Sequence, residues 1–198
     1  MQIVLASNNE NKIREVREIL GDKYEVISQR EAGADFEVIE DTGTFAGNAM
    51  KKAREVCAAV GRVTISDDSG LCVEALGGEP GVDSALYAGK HGDDDANNRK
   101  LLSEMEGIDN RRAYFICVIA VAYPDGEGHI IEAKWHGEIA EAERGENGFA
   151  YDKLFVPEGD GRTSAELEPE EKNRISHRAG ALRELKEFFE IKQAIGAR

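Results

Sequence analysis

Apolar positions along the chain recur at the period of a strand in some stretches and of a helix in others, and the switches between the two divide it into elements. Residues 2–6 form a short apolar run that reads as a strand. The polar stretch Ser7-Asn8-Asn9-Glu10-Asn11-Lys12 follows, and Ile13, Val16 and Leu20 then recur at helical spacing up to Gly21. Asn8 or Asn9 is a suitable N-cap for that helix. Residues 24–28 read as a second strand. Thr44 caps a helix over residues 45–60, with Phe45, Ala49, Ala53, Val56 and Val60 on one face.

The chain is organised around Val63-Thr64-Ile65-Ser66-Asp67-Asp68-Ser69-Gly70. β-Branched residues suit a strand interior, and the glycine permits a turn. The pattern predicts a strand that stops there and presents Asp67 and Asp68 at a sheet edge, where open α/β folds bind ligands. Successive side chains of an extended chain point opposite ways, so one of the two faces the reaction centre, and Asp68 is assigned that place. A polar loop in which Asp and Ser merely cap a turn would show the same residues.

Residues 71–76 continue extended, Gly77-Gly78-Glu79-Pro80-Gly81 is a loop, and Asp93-Asp94-Asp95 opens a helix carrying Leu101, Leu102 and Met105. Acidic residues at that helix start suit its dipole. Residues 112–123 and 129–143 read as a long hairpin about Pro124-Asp125-Gly126, with His129 and His136 at its surface. The loop Gly145-Glu146-Asn147-Gly148-Phe149-Ala150-Tyr151-Asp152 carries two aromatics, which either stack on a flat ligand or pin the loop to the core. Residues 154–156 are extended, Pro169 begins a short helix, and Ser176 caps a last one carrying Leu182, Leu185 and Phe189. The order predicts an α/β fold with a mixed twisted central sheet and flanking helices.

At 198 residues the chain fits one domain, or two lobes sharing a core. No apolar run approaches the roughly 20 residues of a membrane span. The first residues lack the basic and apolar segments of a secretory signal. Cys57, Cys72 and Cys117 are scattered among apolar neighbours and read as reduced thiols of a cytoplasmic protein. A net charge of -14 argues against nucleic acid as a partner. A small anion is compatible with that charge, because charges are screened beyond about 8 Å, provided local cations and a divalent metal receive it.

Two helix starts carry cations against their dipole: Lys12 in the first helix, His177 and Arg178 in the last. A bound phosphate would relieve both conflicts, although a solvated lysine requires none. Glu40 and Asp41 precede the helix over 45–60. They either complement its dipole or join Asp67 and Asp68 around a metal.

Six blocks, in this order and spacing, resemble the inosine triphosphate pyrophosphatase family. They are Ser7-Asn8-Asn9 with Lys12; Thr44-Phe45 with Asn48-Ala49; Asp67-Asp68-Ser69-Gly70-Leu71; Pro80-Gly81-Val82 with Ser84-Ala85; Gly148-Phe149 with Tyr151-Asp152; and Glu171-Lys172-Asn173 through Ser176-His177-Arg178. The resemblance implies a nucleotide cleft between two lobes of one domain over 1–198. It also implies hydrolysis of deaminated purine nucleoside triphosphates (ITP, dITP, XTP) to monophosphate and pyrophosphate. By the same resemblance Asp68 binds Mg2+ and activates water, and Glu40 is a second metal carboxylate. Ser7, Asn8, Asn9, Lys12, Ser69 and Lys172 hold the triphosphate, while Phe149, Ala150, Tyr151, Asp152, His177 and Arg178 frame the base. A homodimer, with the long hairpin as its interface, is expected on the same ground. A pyrophosphatase of pyrimidine or modified-base preference, or a non-catalytic nucleotide-binding module, are the alternatives.

Three positions depart from the family pattern. Ala150 stands where glycine is usual, Lys153 where proline is usual, and Leu86 where an arginine is common. The glycine of the acidic motif also comes one place late, at Gly43, which leaves Glu40 and Asp41 both open as the second metal ligand.

Overall fold

The computed structural model describes residues 1–196. The elements are β1 (Gln2–Leu5), α1 (Glu10–Leu20), β2 (Glu25–Ser28), α2 (Phe45–Val60), β3 (Thr64–Val73), α3 (Asp94–Glu104), β4 (Arg112–Ala122), β5 (Gly128–Ile139), β6 (Phe155–Pro157), α4 (Pro169–Ile175) and α5 (His177–Gly196). The strands form a six-stranded sheet in the order β2-β1-β3-β4-β5-β6. β1 pairs parallel with both β2 and β3, whereas β5 and β6 are antiparallel. The fold is therefore mixed α/β, as the alternation of periods predicts.

Two compact units are present. The first comprises Met1–Asp68, Cys117–Ala133 and the chain from Arg178 onward; the second comprises Ser69–Ile116 and Lys134–His177. In the first, Ile3, Leu5 and Ile65 pack with Val16 and Leu20 of α1 and with Leu182, Leu185 and Phe189 of α5. Val4 of β1, and Ala6 just beyond it, pack with Ala34 and Val56 on the other side. β1 is thus apolar on both faces, as a strand covered on both sides must be. In the second unit, Leu71, Val73, Phe115, Trp135, Ile139, Leu154 and Phe155 form the core with Leu101 and Met105 of α3.

The central strand differs from expectation. β3 does not stop at the carboxylates but runs unbroken from Thr64 to Val73. Leu71, Cys72 and Val73 are buried, so apolar burial after Gly70 rewards continued pairing where the local sequence suggests a turn. Asp67 and Asp68 consequently sit in mid-strand, not at a tip. Beyond Val73 the expected extension to residue 76 is a single 3-10 turn, Glu74–Leu76, and β5 ends at Ile139, short of residue 143. Among the described residues no helix is long and apolar enough to cross a membrane.

Candidate active site

In the first unit the turn between β1 and α1 is shaped by its own polar side chains. Asn9 is the N-cap: its Oδ1 accepts from the amides of Asn11 and Lys12 at 3.0 and 3.1 Å, and Ser7 Oγ accepts from the amide of Asn9. Asn8 is exposed beside them. Lys12 Nζ lies 3.2 Å from Asp67 Oδ1, so the cation at the helix start is already offset by a carboxylate of β3.

Asp67 and Asp68 project to opposite sides of β3 and meet opposite surroundings. Asp67 Oδ2 accepts from Arg178 Nη2 and Nε at 3.0 and 3.3 Å, and Arg178 also holds Glu15. Burial opposes ionisation of Asp67, but Lys12, Arg178 and Lys52 outweigh it and hold its carboxyl well below the ordinary range. Asp68 faces Lys52, whose Nζ donates to Glu40 Oε1 at 2.8 Å, to the Asp67 carbonyl at 3.0 Å and to Asp68 Oδ1 at 3.4 Å. Burial raises the Asp68 pKa; Lys52 opposes the rise, and Glu40 and Asp67 add to it. Neighbouring carboxylates driven apart in this way are the arrangement that divides acid and base duties.

The carboxylate at position 40 is the one that reaches this group. Glu40 shares the Lys52 ammonium with Asp68, whereas Asp41 is turned to Lys51 at 2.6 Å. The segment carrying Glu40 is tied to α2 by Asn48, whose Oδ1 accepts from the amide and hydroxyl of Thr42 at 3.2 and 2.7 Å. Gly47 permits this closeness, since a Cβ there would meet Thr42 Oγ1 at 2.3 Å. Among the described residues, Asp68 Oδ2 is buried without a hydrogen-bond partner. An orphaned carboxylate oxygen beside a second carboxylate fits a hard divalent cation, which commonly takes one or two carboxylates and completes its shell with water and phosphate.

In the second unit, Asp152 organises the loop. Its Oδ2 accepts from the amide of Phe149 at 2.8 Å and from Lys172 Nζ at 2.7 Å, and its Oδ1 accepts from Ser164 Oγ at 2.6 Å. Gly148 has φ +77°, and a Cβ there would lie 2.1 Å from Asp152 Oδ2, so the loop closes only with glycine. Lys172 Nζ sits 4.9 Å from the Phe149 ring centroid, a cation–π approach that leaves the ring partly exposed. Ser69 is half-buried on β3, and the His177 ring lies parallel to Phe115 at 4.8 Å.

Two expectations change. Tyr151 is not a stacking surface: it is 1% exposed, and its hydroxyl donates to the Ser84 carbonyl at 2.8 Å, so it pins the loop to the core, while Phe149 is half-buried. The Arg178 guanidinium is buried against Asp67 and Glu15 rather than spread at a ligand surface, because a charge that deep needs carboxylate partners. The loop amides of Phe149 and Ala150 donate to Asp152 and Asp94.

Lys52, Glu15, Asp94 and Asn98 were not legible as site residues. The signal for the first two is positional: Lys52 falls on the apolar stripe of α2 with Ala49 and Val56, and Glu15 adjoins Val16 on the buried side of α1. A charge on a buried stripe requires a partner.

The Ham1 family model matches residues 3–188. The chain belongs to the Ham1 family. A relative from Corynebacterium glutamicum named dITP/XTP pyrophosphatase is 47% identical over 197 residues, covering 94% of this chain and 96% of its own. The Bacillus subtilis dITP/XTP pyrophosphatase is 45% identical over 192 residues, covering 96% and 97%. The Ham1 protein of Staphylococcus aureus has the same fold at a TM-score of 0.88 and 44% identity, covering 97% of this chain and all of its own. Ala150 is accommodated with φ +52°, the left-handed region that glycine occupies freely.

Proposed function

We propose that this protein hydrolyses deaminated purine nucleoside triphosphates, such as ITP, dITP and XTP, to the monophosphate and pyrophosphate. The observation that carries the reading is the pair of adjacent buried aspartates in opposite electrostatic settings. Asp67 is held ionised by Lys12 and Arg178, and Asp68 keeps one buried oxygen unpartnered beside Glu40. The names of relatives 44–49% identical over nearly the whole chain support it. In this reading residues 1–198 act as one pyrophosphatase domain.

Glu40 and Asp68 are the residues that would hold Mg2+, which when bound offsets phosphate charge and lowers the pKa of an attacking water. Asp68 takes the proton of that water, its basicity raised by burial. Lys12 and Lys172, with the hydroxyl and amide groups of Ser7, Asn8, Asn9 and Ser69, bind the triphosphate. Lys52 holds Glu40 and Asp68 in register until the charge of metal and substrate arrives. Phe149 stacks on the base with His177 beside it, while Arg178, committed to Asp67 and Glu15, supports the site from behind and does not touch the base edge. Hypoxanthine and xanthine present a 6-oxo acceptor where adenine presents an amino donor, and a donor placed there rejects adenine. A cytoplasmic homodimer completes the reading. The scatter of Cys57, Cys72 and Cys117 among apolar neighbours, without metal-like spacing, supports the reducing compartment.

The deciding assay measures pyrophosphate and orthophosphate release from ITP, XTP, GTP and ATP, with and without magnesium. Pyrophosphate from ITP and XTP, a weak reaction with ATP, and loss of turnover in a chelator are expected. Equal turnover of ATP and ITP would sink the substrate assignment.

A further inference from the structure

Helix α3 grips the loop of the second unit by one residue. Asp94 Oδ2 accepts from the amide of Ala150 at 2.9 Å, and Asn98 Nδ2 donates to the carbonyl of Ala150 at 3.2 Å. Asp94 and Asn98 are four residues apart, so they lie one above the other on the same face of α3. Both backbone polar groups of a single loop residue are thus held by one turn of helix.

The residue so held is the strained one. Among the described residues Ala150 is the non-glycine with positive φ, at +52°. An alanine enters that region at a cost, because its Cβ crowds the following carbonyl. Such a conformation persists where its surroundings over-determine it. Neither contact serves α3 itself, whose start is capped by Asp93 through the amide of Ala96 at 3.2 Å. The intervening Asn97 is turned elsewhere, to the amide of Ala88 and the carbonyls of Ser84 and Ala85.

We propose that Asp94 and Asn98 are positioning residues that set base discrimination by clamping Ala150 in its left-handed conformation. Ala150 stands between Phe149 and the Tyr151 anchor on Ser84. Rotation about its φ swings Phe149 away from Asp152 and breaks the 2.8 Å bond between them. The clamp therefore fixes where the stacking ring stands relative to the Asp152–Lys172 pair. The inference rests on the pyrophosphatase reading above and names residues that set the selectivity of that same site.

The test uses full-length protein with magnesium and compares ITP and ATP for wild type, Asp94→Ala, Asp94→Asn, Asn98→Ala, Ala150→Gly and the double variant Asp94→Ala with Ala150→Gly. Loss of one hydrogen bond in Asp94→Ala or Asn98→Ala raises KM for ITP about three- to tenfold and narrows the preference over ATP, with kcat changing less. Asp94→Asn keeps a carbonyl acceptor and recovers most of the loss. The double variant recovers it too, because glycine holds positive φ without a clamp. An unchanged KM in Asp94→Ala overturns the proposal. So does a loss that neither Asp94→Asn nor Ala150→Gly repairs, which would assign Asp94 to the dipole of α3.

Hydrogen exchange of the Ala150 amide in the wild-type protein is a reading that needs no variant. Slow exchange supports the clamp, and exchange at the rate of an exposed peptide overturns it. Wild-type protein that releases no pyrophosphate from ITP refutes the substrate reading instead, and the exchange rate then judges the clamp separately.

Discussion

Asp67 and Asp68 are chemically identical neighbours, and their surroundings give them different work. Asp68 is buried with a raised pKa and faces an ammonium at 3.4 Å. Asp68→Asn removes the proposed proton acceptor and is expected to lower kcat by about two to four orders of magnitude. The same change removes a buried charge, so the melting temperature should stay at or above that of the parent; a scanning-calorimetry trace beside a pyrophosphate-release assay checks both. Asp67 behaves in the opposite sense. Its folded carboxyl titrates well below the ordinary 3.8, so on acidification the unfolded chain takes up that proton first. The stability it contributes is full above about pH 5 and is lost as pH falls through 3.8 and below. Urea midpoints measured between about pH 3 and pH 7 should fall steeply at the acid end for the parent and more gently for Asp67→Asn. A choice between two adjacent carboxylates follows from strand alternation alone, but the partners that separate them come from α1, α2 and α5.

The elements bring these residues together by means that are mostly local. α1 and α2 begin at Asn9 and Thr44, whose side chains accept the first amides, and both starts are plain in the sequence. The segment bearing Glu40 depends on α2 through Asn48, a buried side chain whose loss leaves the Thr42 amide without its acceptor. Asn48→Ala should lower stability by about 1–3 kcal/mol and raise the magnesium concentration for half-maximal turnover. Thermal unfolding and a metal titration read the two effects; an unaltered metal requirement would separate Asn48 from the Glu40 segment. β3 shows where local signals mislead. Glycine and four polar residues in a row mark a turn, yet the strand continues because Leu71 and Val73 have a core to enter. Burial is decided by partners distant in the sequence, and it overrides the local preference of the segment.

At the scale of the molecule, a chain of net charge -14 is expected to act on a polyanion, which requires cations collected where they are needed. Lys12, Lys52 and Arg178 in the first unit and Lys172 in the second are each held by a carboxylate. Light scattering is expected to return twice the 21.7 kDa chain mass; a monomeric mass would remove the dimer from the reading. The sequence by itself determined the order and kind of the elements, the helix caps, and the blocks that place the chain in its family, because periodicity, capping and motif spacing are properties of neighbouring residues. The tertiary structure alone decided that Asp67 is bound by cations while Asp68 keeps an oxygen unpartnered, that Tyr151 is an anchor, that Lys52 joins Glu40 to Asp68, and that α3 holds Ala150. Each of these depends on which side chains meet across tens of residues of chain, and burial then fixes whether a charge is compensated or left exposed to its own desolvation.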